Sequence, residues 1–273
     1  MEDVPEGRQL ARNEAGGYWE IDANGKITGV WAYDAKSRDW IFHAEIPLAG
    51  MLFTDAHIWY IRGYSDNTIH PDGFITRAEV ATVFYRLLNS ELKIQGSQSA
   101  FTDVSLEDWH GEAVNTLAYH GMANGYPDGS FKPDQPITRA EIAAIVSRFE
   151  KLAKTGFNPY TDVGAEHWAY NYILSASEKG WFVGDESGCF RPGDNSTRAE
   201  FVAIVNRILN RKILLFNIPG SVHEFDDLTG SHWAYADLME SIYSHNARFS
   251  EGDSDEKWSK LTGSGLEEGS RGY

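Results

Sequence analysis

Gly125-Tyr126-Pro127-Asp128-Gly129-Ser130-Phe131-Lys132-Pro133-Asp134-Gln135-Pro136-Ile137-Thr138-Arg139-Ala140-Glu141 decides how this chain folds, because the chain repeats it. An earlier copy runs Gly63-Tyr64-Ser65-Asp66-Asn67-Thr68-Ile69 and resumes at Ile75-Thr76-Arg77-Ala78-Glu79. A later one runs Gly188-Cys189-Phe190-Arg191-Pro192 and resumes at Ser196-Thr197-Arg198-Ala199-Glu200. The three arginines stand 62 and 59 residues apart. A second element recurs between them: Phe101-Thr102-Asp103-Val104 leads to Trp109, Tyr160-Thr161-Asp162-Val163 to His167-Trp168-Ala169, and Phe225-Asp226-Asp227-Leu228 to His232-Trp233-Ala234. Repeats of roughly 60 residues are small units that bury their apolar faces only against neighbours.

Each unit reads as helix, loop, helix. Trp109, Ala113 and Leu117, then Trp168, Tyr172 and Ala176, recur every four residues, and Gly121 and Gly180 follow as helix-ending residues. Pro127-Asp128-Gly129 is turn chemistry, with a fixed φ from Pro and a positive φ available to Gly. The second helix opens at Thr-Arg-Ala-Glu, and Val80, Val83, Phe84, Leu87 and Leu88 fall on one stripe, as do Ile142, Ile145, Val146 and Phe149, then Phe201, Ile204, Val205 and Ile208. The chain is therefore mainly α.

The halves of the repeat are out of step. Thr-Arg-Ala-Glu halves open the first, second and third units, whereas Phe-x-Asp/Trp halves occur in the second, third and a trailing fourth. Phe53-Thr54-Asp55 runs straight into His57-Ile58-Trp59-Tyr60 with no room for a helix. The trailing half, Phe225 to His245, is expected to dock beside the first Thr-Arg-Ala-Glu half and close a pseudo-threefold assembly. The expected organisation is an aromatic β-hairpin spacer over 1–50, a repeat domain over 51–249, and a disordered acidic tail over 250–273. Within the repeat domain the units run about 53–97, 98–156 and 157–215, with a closing half-unit over 222–247.

Thr-x-x-Glu is a capping box, which accounts for the Thr and the Glu, and Ala is a good helix former. Arg is not accounted for, because a cation in the first turn opposes the helix dipole. The same Arg three times suggests a use: free first-turn amides and a guanidinium fork together make an anion site, with an internal ion pair as the competing role. Trp109, Trp168 and Trp233, opening their helices, could stack on a sugar or belong to the core. Tyr64 and Tyr126 sit in the turn before the arginine helix, and Asp66 and Asp128 either bond sugar hydroxyls or form the turn.

Composition narrows the partners. With 40 acidic against 24 basic residues the net charge is −16, a poor match for nucleic acid or anionic lipid. A single cysteine, Cys189, rules out an intrachain disulfide framework and a cysteine-based zinc site. Met1-Glu2-Asp3-Val4-Pro5 does not read as a signal peptide, and no apolar run reaches membrane-spanning length, so no membrane insertion is expected. The nine histidines lack His-Glu-x-x-His spacing and no Gly-x-Ser-x-Gly elbow is present, so neither an enzyme nor a metal or other cofactor is expected. The loops Asp66–Asp72 and Asp128–Asp134 do not follow the EF-hand pattern.

Gly-Tyr-Pro-Asp-Gly-Ser-Phe followed by Ile-Thr-Arg-Ala-Glu, with His-Trp-Ala after Phe-x-Asp-Val, resembles the S-layer homology (SLH) family over roughly residues 53–248. The resemblance implies a pseudo-threefold helical spindle of three tandem modules. It also implies noncovalent binding of secondary cell-wall polysaccharide, in related proteins often a pyruvylated polymer, in grooves between modules. Carried over by motif, the implied polysaccharide-binding residues are Arg77, Arg139 and Arg198, with Tyr64, Asp66, Tyr126, Asp128, Gly129 and the opening Trp109, Trp168 and Trp233. The implied partners are the pyruvylated wall polysaccharide and upstream domains of a larger surface protein. The expected place is the bacterial cell surface. A self-assembling scaffold, with modules that mainly contact other copies, is the alternative. The third loop, Gly184-Asp185-Glu186-Ser187-Gly188, loses both the Tyr and the turn Asp and adds two acids. The expectation is a weak site at Arg198 and the strongest site at Arg139.

Overall fold

A computed structural model of the chain describes residues 9–12, 18–21, 27–34, 39–43, 51–52, 54, 57–94, 99–149, 157–249 and 256–266. The structure is mainly helical, with two small sheets. Strands β1 (Gln9–Arg12), β2 (Tyr18–Ile21), β3 (Ile27–Asp34) and β4 (Asp39–His43) form an antiparallel meander in chain order. The expected hairpin is thus part of a larger sheet with one strand upstream; its Asn24-Gly25 turn lies outside the described residues.

The Thr-Arg-Ala-Glu helices are α1 (Arg77–Leu87), α3 (Arg139–Val146) and α5 (Arg198–Ile208). Each carries a complete capping box: Thr76, Thr138 and Thr197 accept from the Glu amide three residues on, and Glu79, Glu141 and Glu200 reach back. Such a cap stabilises a helix start by about 1 kcal/mol. The opening helices are α2 (Gly111–Tyr119), α4 (Tyr170–Glu178) and α6 (Tyr235–Ile242). Gly121 and Gly180, at φ +70° and +74°, terminate the first two in the left-handed region that only glycine enters without strain. Each opening helix packs on the capped helix before it: α2 on α1, α4 on α3, α6 on α5.

Where the capped helices begin, the three units meet in a ring. The Ile75 amide donates to the Ser196 carbonyl at 3.1 Å, the Ser196 amide to Ile137 at 3.0 Å, and the Ile137 amide to Ile75 at 3.1 Å. This cycle returns to its start, so no unit can be removed without orphaning a buried donor and a buried acceptor. The Phe84 ring packs at 4.9 Å from Phe149 and 5.8 Å from Phe201, inside one continuous apolar core.

The trailing half completes the first unit. In the second unit Asp103 accepts from the amides of Phe131 and Lys132, at 2.7 and 2.8 Å. Asp162 does the same for Phe190 and Arg191 in the third. For the first unit the carboxylate is Asp227, which accepts from Ile69 and His70 at 2.9 and 2.7 Å. Two successive amides converging on one carboxylate need a left-handed residue, and His70, Lys132 and Arg191 have φ of +50°, +56° and +59°. The strain, of order 1 kcal/mol, is offset by two charge-assisted hydrogen bonds. The amides of Tyr60 and Ile61 also donate to the Ser241 carbonyl on α6, and Phe225 packs on Gly63.

The C-terminal end departs from expectation. The helix of the trailing half stops at Ile242, and β5 (Tyr243–Phe249) follows, paired antiparallel with β6 (Glu256–Ser264). The stretch expected to be a disordered tail therefore contains a strand. Its composition is polar, but Trp258 packs against Tyr243 and stacks at 4.3 Å on His245, and Gly265 closes against the Ile61 carbonyl. No helix among the described residues is long and apolar enough to cross a membrane.

Candidate functional site

The three arginines of the Thr-Arg-Ala-Glu elements point away from solvent; their side chains reach across to the loop of the next unit. Arg77 donates through Nε to the Phe131 carbonyl at 2.7 Å, through Nη2 to Asn124 at 3.0 Å, and pairs with Glu141 at 2.9 Å. Arg139 makes the two carbonyl contacts one unit on, to Phe190 and Val183 at 2.8 and 3.1 Å. Arg198 returns to the first unit: Ile69 at 2.9 Å, Arg62 at 2.9 Å and Glu79 at 2.7 Å. Their exposures are 5%, 6% and 3%. Aromatic rings cover the guanidiniums: Tyr126 and Phe131 for Arg77, Phe182 and Phe190 for Arg139, Tyr64 for Arg198.

The first-turn amides are used internally as well. The Arg77 and Ala78 amides donate to Gln135 and Pro133, those of Arg139 and Ala140 to Asp194 and Pro192, and those of Arg198 and Ala199 to Gly73 and Pro71. Free helix-terminal amides, part of the anion site expected from the sequence, are therefore not on offer. Hydrogen bonds between units consume them.

The same geometry reassigns the loops. Because each arginine serves the following unit, the acidic loop Asp185-Glu186 lies beside Arg139, not Arg198. Arg198 faces the Tyr64 loop, and Arg77 faces the loop nearest the repeat pattern, Gly125 to Phe131. The expectation that the acidic loop stands beside Arg198 is corrected on this point. In the Arg139 groove Glu200 stands 3.9 Å from Arg191, which also approaches Asp185 at 3.5 Å and Asp194 at 3.7 Å. Burial pushes the Arg139 guanidinium below its ordinary pKa, and Glu200 opposes that shift.

A second arginine set recurs through the three units. Arg86, Arg148 and Arg207, each nine residues after the first arginine, donate to the carbonyls of Tyr60, Met122 and Trp181. Their signal is a constant spacing near the end of each capped helix, where an arginine ordinarily passes for a solvated face. Burial, with Arg62 and Arg198 close by, lowers the Arg86 pKa to about 10.

One groove is open and shaped. A cleft of about 690 Å³ is lined by Arg77, Arg148, Tyr126, Glu141, Trp168 and Tyr172, together with Asn124 to Pro127. Two guanidiniums face one carboxylate there, and the Tyr126 hydroxyl donates to Glu141 at 2.8 Å. Trp168 is 60% exposed at its rim, and Trp233, at the equivalent position just ahead of α6, is equally exposed; Trp109 is 39% exposed. The local sequence explains the two outward rings. His167 and His232 accept through Nδ1 from the amides of Ala169 and Ala234 at 3.1 Å, and each stacks at 5.8 Å on its Trp. Asp66 and Asp128 accept within their own turns, from Thr68 and Ser130, while Gly129 supplies φ +82° and Asn67 takes its place at φ +65°. Tyr64 mirrors Tyr126, donating to Glu79 at 3.2 Å.

The S-layer homology domain profile matches residues 60–81, 100–143 and 159–202. The chain carries three tandem S-layer homology modules. The match to the first begins at Tyr60, past the point where the others have their Phe-x-Asp half, which is the half that Phe225 to Ile242 supplies. A cellulosome-anchoring protein of Acetivibrio thermocellus is 37% identical over 218 residues, covering 77% of this chain and 47% of that protein. Cell surface glycoprotein 1 of the same organism is 37% identical over 218 residues, 75% of this chain and 9% of that protein. An amylopullulanase of Thermoanaerobacterium thermosulfurigenes is 31% identical over 161 residues, 55% of this chain and 8% of the enzyme. The SLH chain thus spans less than half the length of these relatives.

Proposed function

We propose that the SLH modules form a closed threefold spindle that attaches a larger protein to the bacterial cell surface noncovalently, by binding an anionic wall polysaccharide. The reading is that of a non-catalytic anchor. The relatives support it: proteins as different as a cellulosome-anchoring protein and an amylopullulanase share this segment, as expected of a module that places other activities rather than performing one. The observation that carries the ligand class is the cleft at Arg77, where an exposed indole faces two guanidiniums and a tyrosine. An indole rim offers an apolar face to a sugar ring, and a net cationic floor favours a carboxylate on that sugar. A pyruvyl group supplies such a carboxylate. In this reading Trp168, Tyr126 and Arg148 meet the ligand, and Arg77 contributes charge from the floor while holding the loop. The Arg198 groove, with Tyr64, Glu79 and Arg86, is the second site. The Arg139 groove, neutralised by its acidic loop, is the weak one.

Cosedimentation with purified wall sacculi tests this. The protein is expected in the pellet with intact walls and in the supernatant after pyruvyl groups are removed by mild acid. Equal pelleting with both preparations would remove the anionic sugar from the account.

A further inference from the structure

Among the described residues, one cluster of metal-type donors lies away from the grooves. His57 leads into the first module, Glu240 sits on α6 and His245 on β5, and their donor atoms all lie within 4.8 Å of one another. Glu240 is fully buried. One carboxylate oxygen stands 3.0 Å from His57 Nδ1 and 3.6 Å from the Arg211 guanidinium. The other accepts from Trp258 Nε1 at 3.0 Å and stands 3.3 Å from His245 Nε2.

His245 decides the chemistry. Its Nδ1 faces the Tyr243 carbonyl at 3.2 Å while its Nε2 faces the carboxylate. Both neighbours are acceptors, and a neutral imidazole has only one N–H to donate. With Nδ1–H given to the carbonyl, the Nε2 lone pair faces a carboxylate oxygen, an arrangement that either a second proton or a metal ion completes. A backbone carbonyl holding one ring nitrogen so that the other meets a carboxylate is also how metal-binding histidines are oriented.

The geometry points to a site for a divalent transition-metal ion of the zinc class, ligated by His57, Glu240 and His245. Two imidazoles and one carboxylate are borderline ligands suited to zinc or cobalt, with an open fourth position for water. A cavity of about 760 Å³ lined by His57, His245, Ser244, Asn246 and Asn210 gives solvent that access. Tetrahedral donors around an ion at about 2.1 Å stand roughly 3.4 Å apart, so the most distant pair, within 4.8 Å, closes by up to about 1.4 Å on loading. Arg211 neutralises part of the carboxylate charge and weakens the site without filling it. The ion would fasten the chain ahead of the first module to the strand after the last, at the seam where the ring closes.

The test uses the full chain after treatment with a chelator, titrated with ZnCl2 and separately with CoCl2. One ion per chain is expected, with visible Co(II) bands of low coordination number. A Tm rise of about 5–10 °C is expected when zinc exceeds its Kd a hundredfold. His57→Gln keeps a donor beside Glu240 and is expected to abolish the Co(II) bands and the zinc-dependent Tm shift. Should that variant fail to fold by circular dichroism, the wild-type Co(II) spectrum and its quenching by zinc carry the test. A chain that takes up no ion and melts at the same temperature with zinc or chelator would show that a proton only sits between His245 and Glu240. Metal uptake unchanged in a folded His57→Gln would mark a surface ion. Either result overturns the proposal.

Discussion

A chain lacking residues 221–249 is expected to show no cooperative thermal transition, although all three Thr-Arg-Ala-Glu helices remain. The deletion removes Phe225, Leu228, Leu238, Met239 and Ile242 from the core, all of them buried. At about 1.5–3 kcal/mol for each such side chain the loss is roughly 8–15 kcal/mol, as large as the entire stability of an ordinary domain. It also withdraws Asp227 from two amides of the first module and strips α6 from the face of α5. Calorimetry decides the matter: a sharp transition within a few degrees of the intact chain would mean that the trailing half is not a structural part of the ring.

Replacing Arg198 by Ala is expected to cost about 3–5 kcal/mol, measured as a lowered urea midpoint at constant slope. The guanidinium is nearly inaccessible and satisfies two carbonyls and one carboxylate on the first module. Removing it strands Glu79 and leaves the carbonyls of Ile69 and Arg62 short of a donor. Lysine is not expected to rescue, because one ammonium cannot reproduce three directed contacts from a planar fork. A loss below about 1 kcal/mol would indicate a solvated ion pair of ordinary surface value. The practical consequence concerns binding assays. Loss of wall attachment in an Arg77, Arg139 or Arg198 variant reports unfolding as readily as a lost ligand contact.

Much of this architecture is readable in one dimension. The capping boxes, the left-handed Gly121, Gly129 and Gly180, and the starts of α1, α3 and α5 at the three arginines are local: each depends on residues within one or two turns. The mismatch in half-repeats also pointed to the trailing segment as a partner for the first unit. What one sequence could not convey was direction across the ring. Nothing in the spacing says whether an arginine serves its own loop or the next, so the spacing alone puts the acidic loop with Arg198, whereas the contacts between units put it beside Arg139. The ring also consumes the first-turn amides, which in an isolated helix would be free for an anion. Strand β6 was missed for a related reason. Its residues are mostly polar, and only pairing with β5 and the contact of Trp258 with Glu240 and His245 give them a place. The cluster of His57 with Glu240 joins positions 183 residues apart, beyond the reach of any motif.

The wall-binding account rests on the difference between grooves of unlike charge. Trp168 and Trp233 are equally exposed at equivalent helix starts, so neither substitution by alanine should change stability by more than about 0.5 kcal/mol. Affinity of the two variants for purified, pyruvylated walls, determined side by side, is therefore the most direct measurement. Trp168→Ala is predicted to weaken binding roughly tenfold or more, the loss of an aromatic anchor, and Trp233→Ala less than about threefold. Equal losses, or the larger loss at Trp233, would contradict the assignment of the Arg77 groove as the principal site.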